Sequence, residues 1–146
     1  MARYSGGFRT TGAGSTTLPI AGITATTLVR PRIKEIGAFN TTAVAVALAV
    51  RRITALGTAG AAEVEVYDTD PVQVALATLL NTWTVAPTFV SGNVRVATLG
   101  AVVGSGVIWT FGGEGLVVPN TTGDGVVLVP LTGTGQICDV YINWEE

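Results

Sequence analysis

The chain contains no histidine, one cysteine (Cys138) and one lysine (Lys34) among its 146 residues. Without histidine it lacks the commonest general base, the commonest transition-metal ligand and the usual physiological-pH switch. A single cysteine rules out an intramolecular disulfide and any paired-cysteine zinc motif. Charge is scarce as well: 12% of residues are Asp, Glu, Lys or Arg, against about 25% in an ordinary soluble domain. Long apolar runs are missing, the longest being the eight residues Ala43–Val50, well short of the ~20 a membrane helix needs. Residues 1–17 hold no apolar h-region, so no secretory signal is expected there and the chain is expected to be soluble.

What is abundant is apolar residues, at 48% of the chain, together with 19 glycines. A length of 146 residues allows one core burying roughly two thirds of the unfolded surface. So little charge means that much of the surface is hidden or meets other molecules. The charge present is unevenly placed. Residues 1–60 hold seven cations and one acid, and residues 61–146 one cation and nine acids. The cations are dispersed among apolar residues with no basic run and no interleaved aromatics, which argues against direct nucleic-acid binding and for complementary pairing of the two halves, within a subunit or between subunits.

Periodicity sets the fold class. In AVAVALAVRR, Val44, Val46, Leu48, Val50 and Arg52 fall on one face at period two, and Ala43, Ala45, Ala47, Ala49 and Arg51 on the other. A helix would scatter these valines, so the segment is a strand. Its large face fills a core. Its alanine face suits either an interior strand of a two-layer sandwich or close approach by a partner. Further strands are expected at Thr24–Val29, Arg32–Phe39, Glu63–Tyr67, Thr82–Val85, Val94–Leu99, Gly106–Phe111, Leu116–Val118, Val126–Leu131 and Ile137–Trp144, divided by turns rich in Gly, Asn and Asp. Gly37 marks a bulge or tight packing. Asp70-Pro71 opens a short helix on which Val72, Leu76, Leu79 and Leu80 share a face.

The expected architecture is therefore an all-β, jelly-roll-like β-sandwich over residues 18–146, preceded by an extended N-terminal arm over residues 1–17. The arm is polar and rich in Gly, Ser and Thr, and it orders only on a neighbour.

No catalytic constellation emerges. GAGSTT at Gly12–Thr17 lacks the lysine of a phosphate loop. Glu114 and Asp124 lie in Gly-rich turns where acids are ordinary, and with Asp139 they make no convincing acid pair. Asp68 and Asp70 sit in a turn-starting YDTDP and lack a full calcium loop. Asn40 and Asn120 match a glycosylation pattern that matters only in a secreted eukaryotic setting. Trp83, Trp109 and Trp144 lie in or beside alternating strands and read as core before they read as a sugar platform. Cys138 reads as a small core residue. No metal site, cofactor or enzymatic activity is expected.

The segments RPRIKEIGAFNTTAVAVALAVRRITALGTAG (30–60) and GSGVIWTFGGEGLVVPNTTGDGVVLVPLTGTGQICDVYINWEE (104–146) resemble small structural proteins of tailed bacteriophages, among which the capsid decoration, or cement, proteins are the nearest in role. These blocks cover about half the chain. Segment 70–80 departs from that group, where a Pro/Thr-rich loop is expected. The resemblance implies a non-enzymatic, β-rich protein on the outer surface of a virion, made in the bacterial cytoplasm. It implies binding across major capsid subunits and self-association, a trimer before a dimer. On that reading Arg3, Tyr4, Phe8 and Arg9 of the arm are partner contacts, and Arg51, Arg52 and Glu63 form intersubunit pairs. The alternative is a tail or fibre module that binds a host-surface glycan on its tryptophans.

Overall fold

A computed structural model describes residues 1–68 and 73–146. Among the described residues thirteen strands follow one another: β1 (Arg3–Arg9), β2 (Ala21–Thr24), β3 (Arg32–Asn40), β4 (Val46–Ala55), β5 (Ala62–Glu63), β6 (Val66–Tyr67), β7 (Thr78–Asn81), β8 (Thr88–Phe89), β9 (Arg95–Leu99), β10 (Gly106–Thr110), β11 (Leu116–Val117), β12 (Gly125–Pro130) and β13 (Cys138–Glu145). They form two antiparallel sheets packed as a β-sandwich. The front sheet runs β10-β3-β13-β1-β6, with β11 also on β3. The back sheet runs β5-β7-β2-β12-β4-β8, with β9 also on β4.

Alternation builds the core. Val46, Leu48 and Val50 of β4 meet Val140, Ile142 and Trp144 of β13, Ile33 and Ile36 of β3, and Tyr4 of β1. Cys138 is fully buried among them, as expected of a small core residue. Trp109 and Trp144 belong to the same core. Trp83 anchors a second, smaller cluster on the outside of the back sheet, with Ile53, Leu80 and Val127 and a cover of Leu18, Leu56, Ala59 and Phe89. Its indole Nε1 donates to the Leu56 carbonyl at 2.7 Å. A Cβ on Gly22 would sit 2.8 Å from the Trp83 ring, which is why a glycine lies beneath it. The β4 segment is an interior strand, lying between β12 and β9, and Ala49 on its alanine face has no exposure within the single chain. Val44, expected on the core face, lies before the strand and is exposed.

The strand expected at Thr24–Val29 lies earlier, at Ala21–Thr24, and Thr82–Val85 forms only an isolated bridge from Val85 to Thr58. Three larger expectations are also corrected. Residues 3–9 are not part of a free arm. They form β1, paired along its whole length with β13 and at Tyr4 and Ser5 with β6. Tyr4 supplies the reason: its ring is fully buried, stacked on Trp144 at 5.5 Å and near Tyr67 at 5.0 Å. The following residues are also tied down. The Thr11 and Gly12 amides donate to the side chains of Asn81 and Thr82. The second correction concerns the helix expected from Asp70. Its cap at Asp70-Pro71 and Val72 lie outside the described residues, Gln73–Ala77 are irregular and Leu79 and Leu80 are in β7. Leu79 enters the main core and Leu80 the outer cluster, so their apparent helical spacing is strand alternation. Third, the strand expected at Glu63–Tyr67 is two strands, β5 and β6, one in each sheet, with the chain crossing at Val64 and Glu65.

Gly37 marks tight packing. The register shift between β13 and β3 falls instead where Asn143 pairs with Glu35 and Trp144 with Ile33.

Candidate functional site

The outer face of the front sheet follows from strand register. Successive outward positions form rows across β1, β13, β3 and β10: Arg9–Asp139–Phe39–Gly106, then Gly7–Tyr141–Gly37–Ile108, then Ser5–Asn143–Glu35–Thr110. Two glycines in this lattice are filled by neighbouring rings. A Cβ on Gly37 would lie 2.1 Å from a Tyr141 ring carbon, and one on Gly106 would lie 2.2 Å from a Phe39 ring carbon. Both aromatic side chains thus lie down on the sheet instead of standing off it. Their ring centroids are 6.4 Å apart and their planes 21° apart. Tyr141 Oη donates to Glu35 Oε1 at 2.6 Å, which fixes the ring. Burial, aided by that carboxylate, pushes the Tyr141 phenol up to about 12.

Ion pairs rim this face. Arg9 Nε and Nη2 donate to the two oxygens of Asp139 at 2.7 and 2.9 Å, a bidentate geometry. The hydrogen bonds from Arg9 hold the Asp139 carboxyl below the usual range. Arg3 and Lys34 both reach Glu145, at 3.0 and 3.2 Å, and lower its pKa, Arg3 foremost. Arg32 pairs with Glu114. Each of these four pairs joins a cation of residues 1–60 to an acid of residues 61–146, so the two halves of the chain complement each other within one subunit. Two depressions open on the face. One of about 380 Å³ is lined by Gly7, Arg9, Phe39, Asp139 and Tyr141 among others. The other, of about 500 Å³, lies toward Lys34, Glu35, Asp68, Asn143 and Glu145.

The residues singled out from sequence are dispersed. Arg3 and Arg9 are on this face. Tyr4 is buried, so it is not presented to a partner as expected, whereas Phe8 packs half-buried against the core and lines the smaller depression. Arg51 lies 4.3 Å over the Phe89 ring, with Nη2 donating to the Val90 carbonyl. Arg52 Nη1 donates to the Val117 carbonyl at 2.6 Å, linking β4 to β11 of the other sheet. Glu63 accepts from the Asn81 amide. Glu63 on β5 and the arginines on β4 lie four strand positions apart in the back sheet, roughly 20 Å, so the structure does not bring them together. All three tryptophans are buried, which removes them as a surface platform. The Asn40 side chain is buried and its amide donates to the carbonyls of Val44 and Gly100. Among the described residues no group of three or more acidic or thiol side chains could hold a metal ion.

Phe39 and Tyr141 were not singled out from sequence. The signal was nevertheless there, in the outward alternation Asp139, Tyr141, Asn143, Glu145 and in glycines set inside strands.

No protein-family model, no curated protein and no solved structure matches this chain.

Proposed function

We propose that this chain is a non-enzymatic decoration protein of a tailed-bacteriophage head, docking on the major capsid subunits and associating with copies of itself. The observation that carries the reading is the apolar loop end of the sandwich. Val44, Val102 and Val103 are 54%, 67% and 65% exposed. Their loops are held together by the buried Asn40. Its Nδ2 donates to Val44 O at 2.6 Å and Gly100 O at 3.2 Å, its carbonyl accepts from Gly104 N, and its amide donates to Ser105 O. Valines on loops fixed by a buried amide make a standing apolar surface, the kind that marks protein contacts. The resemblance of segments 30–60 and 104–146 to phage structural proteins supplies the partner.

A second exposed set, Val64 and Val66 at the crossing between the sheets with Val74 and Leu76 before β7, suits contact between copies, a trimer before a dimer. A multivalent assembly gains by avidity even where each contact is weak. The sandwich reads as a jelly roll. Its eight main strands run β1-β13-β3-β10 against β2-β12-β4-β9, and these strands alternate between sheets from β1 to β4 and again through β9, β10, β12 and β13.

Co-sedimentation with undecorated heads tests the proposal. The wild-type chain should pellet with the shells to saturation, and a variant combining Val44→Asp, Val102→Asp and Val103→Asp should bind at least tenfold more weakly. A wild-type chain that stays in the supernatant at every concentration overturns it.

A further inference from the structure

We propose that the outer face of the front sheet carries a carbohydrate site: the depression over Gly7, walled by Tyr141 and Phe39 and rimmed by the Arg9–Asp139 pair, takes a neutral pyranoside with adjacent hydroxyls. This goes beyond the capsid reading and does not rest on it.

The three glycines of the face differ in kind. Gly37 and Gly106 are covered by rings. Gly7 is exposed, and a Cβ there would meet nothing closer than Tyr141 Cβ at 3.6 Å, an ordinary contact. Packing does not demand glycine at this position, yet the lattice is left open where it adjoins the aromatic pair. The two rings, 21° from parallel and half-buried, give the depression an apolar side. Beside it, Arg9 spends two of its five N–H donors on Asp139. The remaining donors and carboxylate lone pairs stay available, since both side chains are about half exposed or more. A pyranose matches this arrangement, with a flat face of C–H groups for the rings and a rim of hydroxyls that donate to Asp139 and accept from Arg9. The volume of about 380 Å³ lies in the range of small-molecule sites.

Other occupants fit less well. An anion would face the carboxylate of Asp139, and a cation would face Arg9. An acyl chain would leave the ion pair dehydrated without a partner. An extended peptide lying over the rings would find the β13 ladder closed on both sides, because Tyr141 pairs with Gly7 of β1 and with Gly37 of β3. The larger polar depression continues along β13 toward Asn143 and Glu145. From Asp139 to Glu145 the strand runs roughly 20 Å, room for several linked sugar rings.

The test begins with the full chain on a printed array of neutral and acidic oligosaccharides, followed by calorimetry with the best-bound glycan. Binding to neutral glycans is expected, weakened at least tenfold by Gly7→Val, which fills the depression, and by Tyr141→Ala. Gly7→Val should leave the circular dichroism spectrum and the binding to phage heads as in the wild type. Absence of any glycan binding, binding confined to acidic glycans, or an affinity unchanged by Gly7→Val would overturn the proposal, whatever the outcome with heads.

Discussion

Replacing Tyr4 by alanine separates a strand from an arm by a wide margin. The side chain has no exposed surface, stacks on Trp144, lies tilted against Tyr67, and donates its hydroxyl to the Gln73 carbonyl at 3.3 Å. Truncating a buried aromatic of this size costs about 3–5 kcal/mol through lost transfer energy and the cavity left behind. With an unfolding entropy of about 2.1 cal/mol/K per residue, each kcal/mol lowers the melting temperature of a chain this long by about 3 °C, so Tyr4→Ala should melt about 10–15 °C below the wild type. Tyr4→Phe keeps the stacking and should lose only about 1 kcal/mol. Urea and thermal unfolding followed by tryptophan emission read this directly, since Trp144 lies against the ring. A loss within about 0.5 kcal/mol for Tyr4→Ala, the value of an exposed residue in a loose segment, would refute the placement of β1. By the same reasoning, deleting residues 1–15 should unfold the protein instead of merely releasing a partner.

Other expectations concern individual groups. Gly37→Ala puts a methyl where the Tyr141 ring lies. It should cost about 1–3 kcal/mol, break the hydrogen bond to Glu35, and bring the Tyr141 phenol down from about 12 toward the ordinary value in an ultraviolet titration. Asp139 and Glu145 are held below the usual carboxylate range by Arg9 and by Arg3 with Lys34. Because their folded values are lowered, the pairs add stability above the unfolded values near pH 4 and lose it as pH falls through the folded ones. Carboxyl carbon titrations should show both midpoints depressed, with stability declining below about pH 4. The Cys138 thiol, pushed up to about 11 by burial, should be alkylated at pH 8 far more slowly in the native chain than in urea; equal rates would contradict its burial.

The sheet-built body could be read in the sequence because strand alternation is local. Val46, Leu48 and Val50 against Ala47 and Ala49 declare their faces without reference to the rest of the chain. What could not be read depends on contacts distant in sequence. Residues 3–9 are polar and glycine-rich, and it is pairing with β13, at least 130 residues away, that makes them a strand along their whole length. Leu79 and Leu80 mimic a helical pair because each sits in a different hydrophobic cluster. Val64 and Glu65 look like the middle of one strand, but the chain there passes between sheets. The outer face of the front sheet was hidden for the same reason. Gly7, Gly37 and Gly106 become one lattice only through register, and the paired charges of the two halves meet only when β1, β3 and β13 lie side by side.

Image reconstruction of undecorated phage heads incubated with the purified chain bears most directly on its role. Added density should occupy fixed positions across capsid subunits, with the loop end bearing Val44, Val102 and Val103 against the shell and the Tyr141 face turned away from it. Bare shells, or density that meets the shell through another surface, would contradict that role.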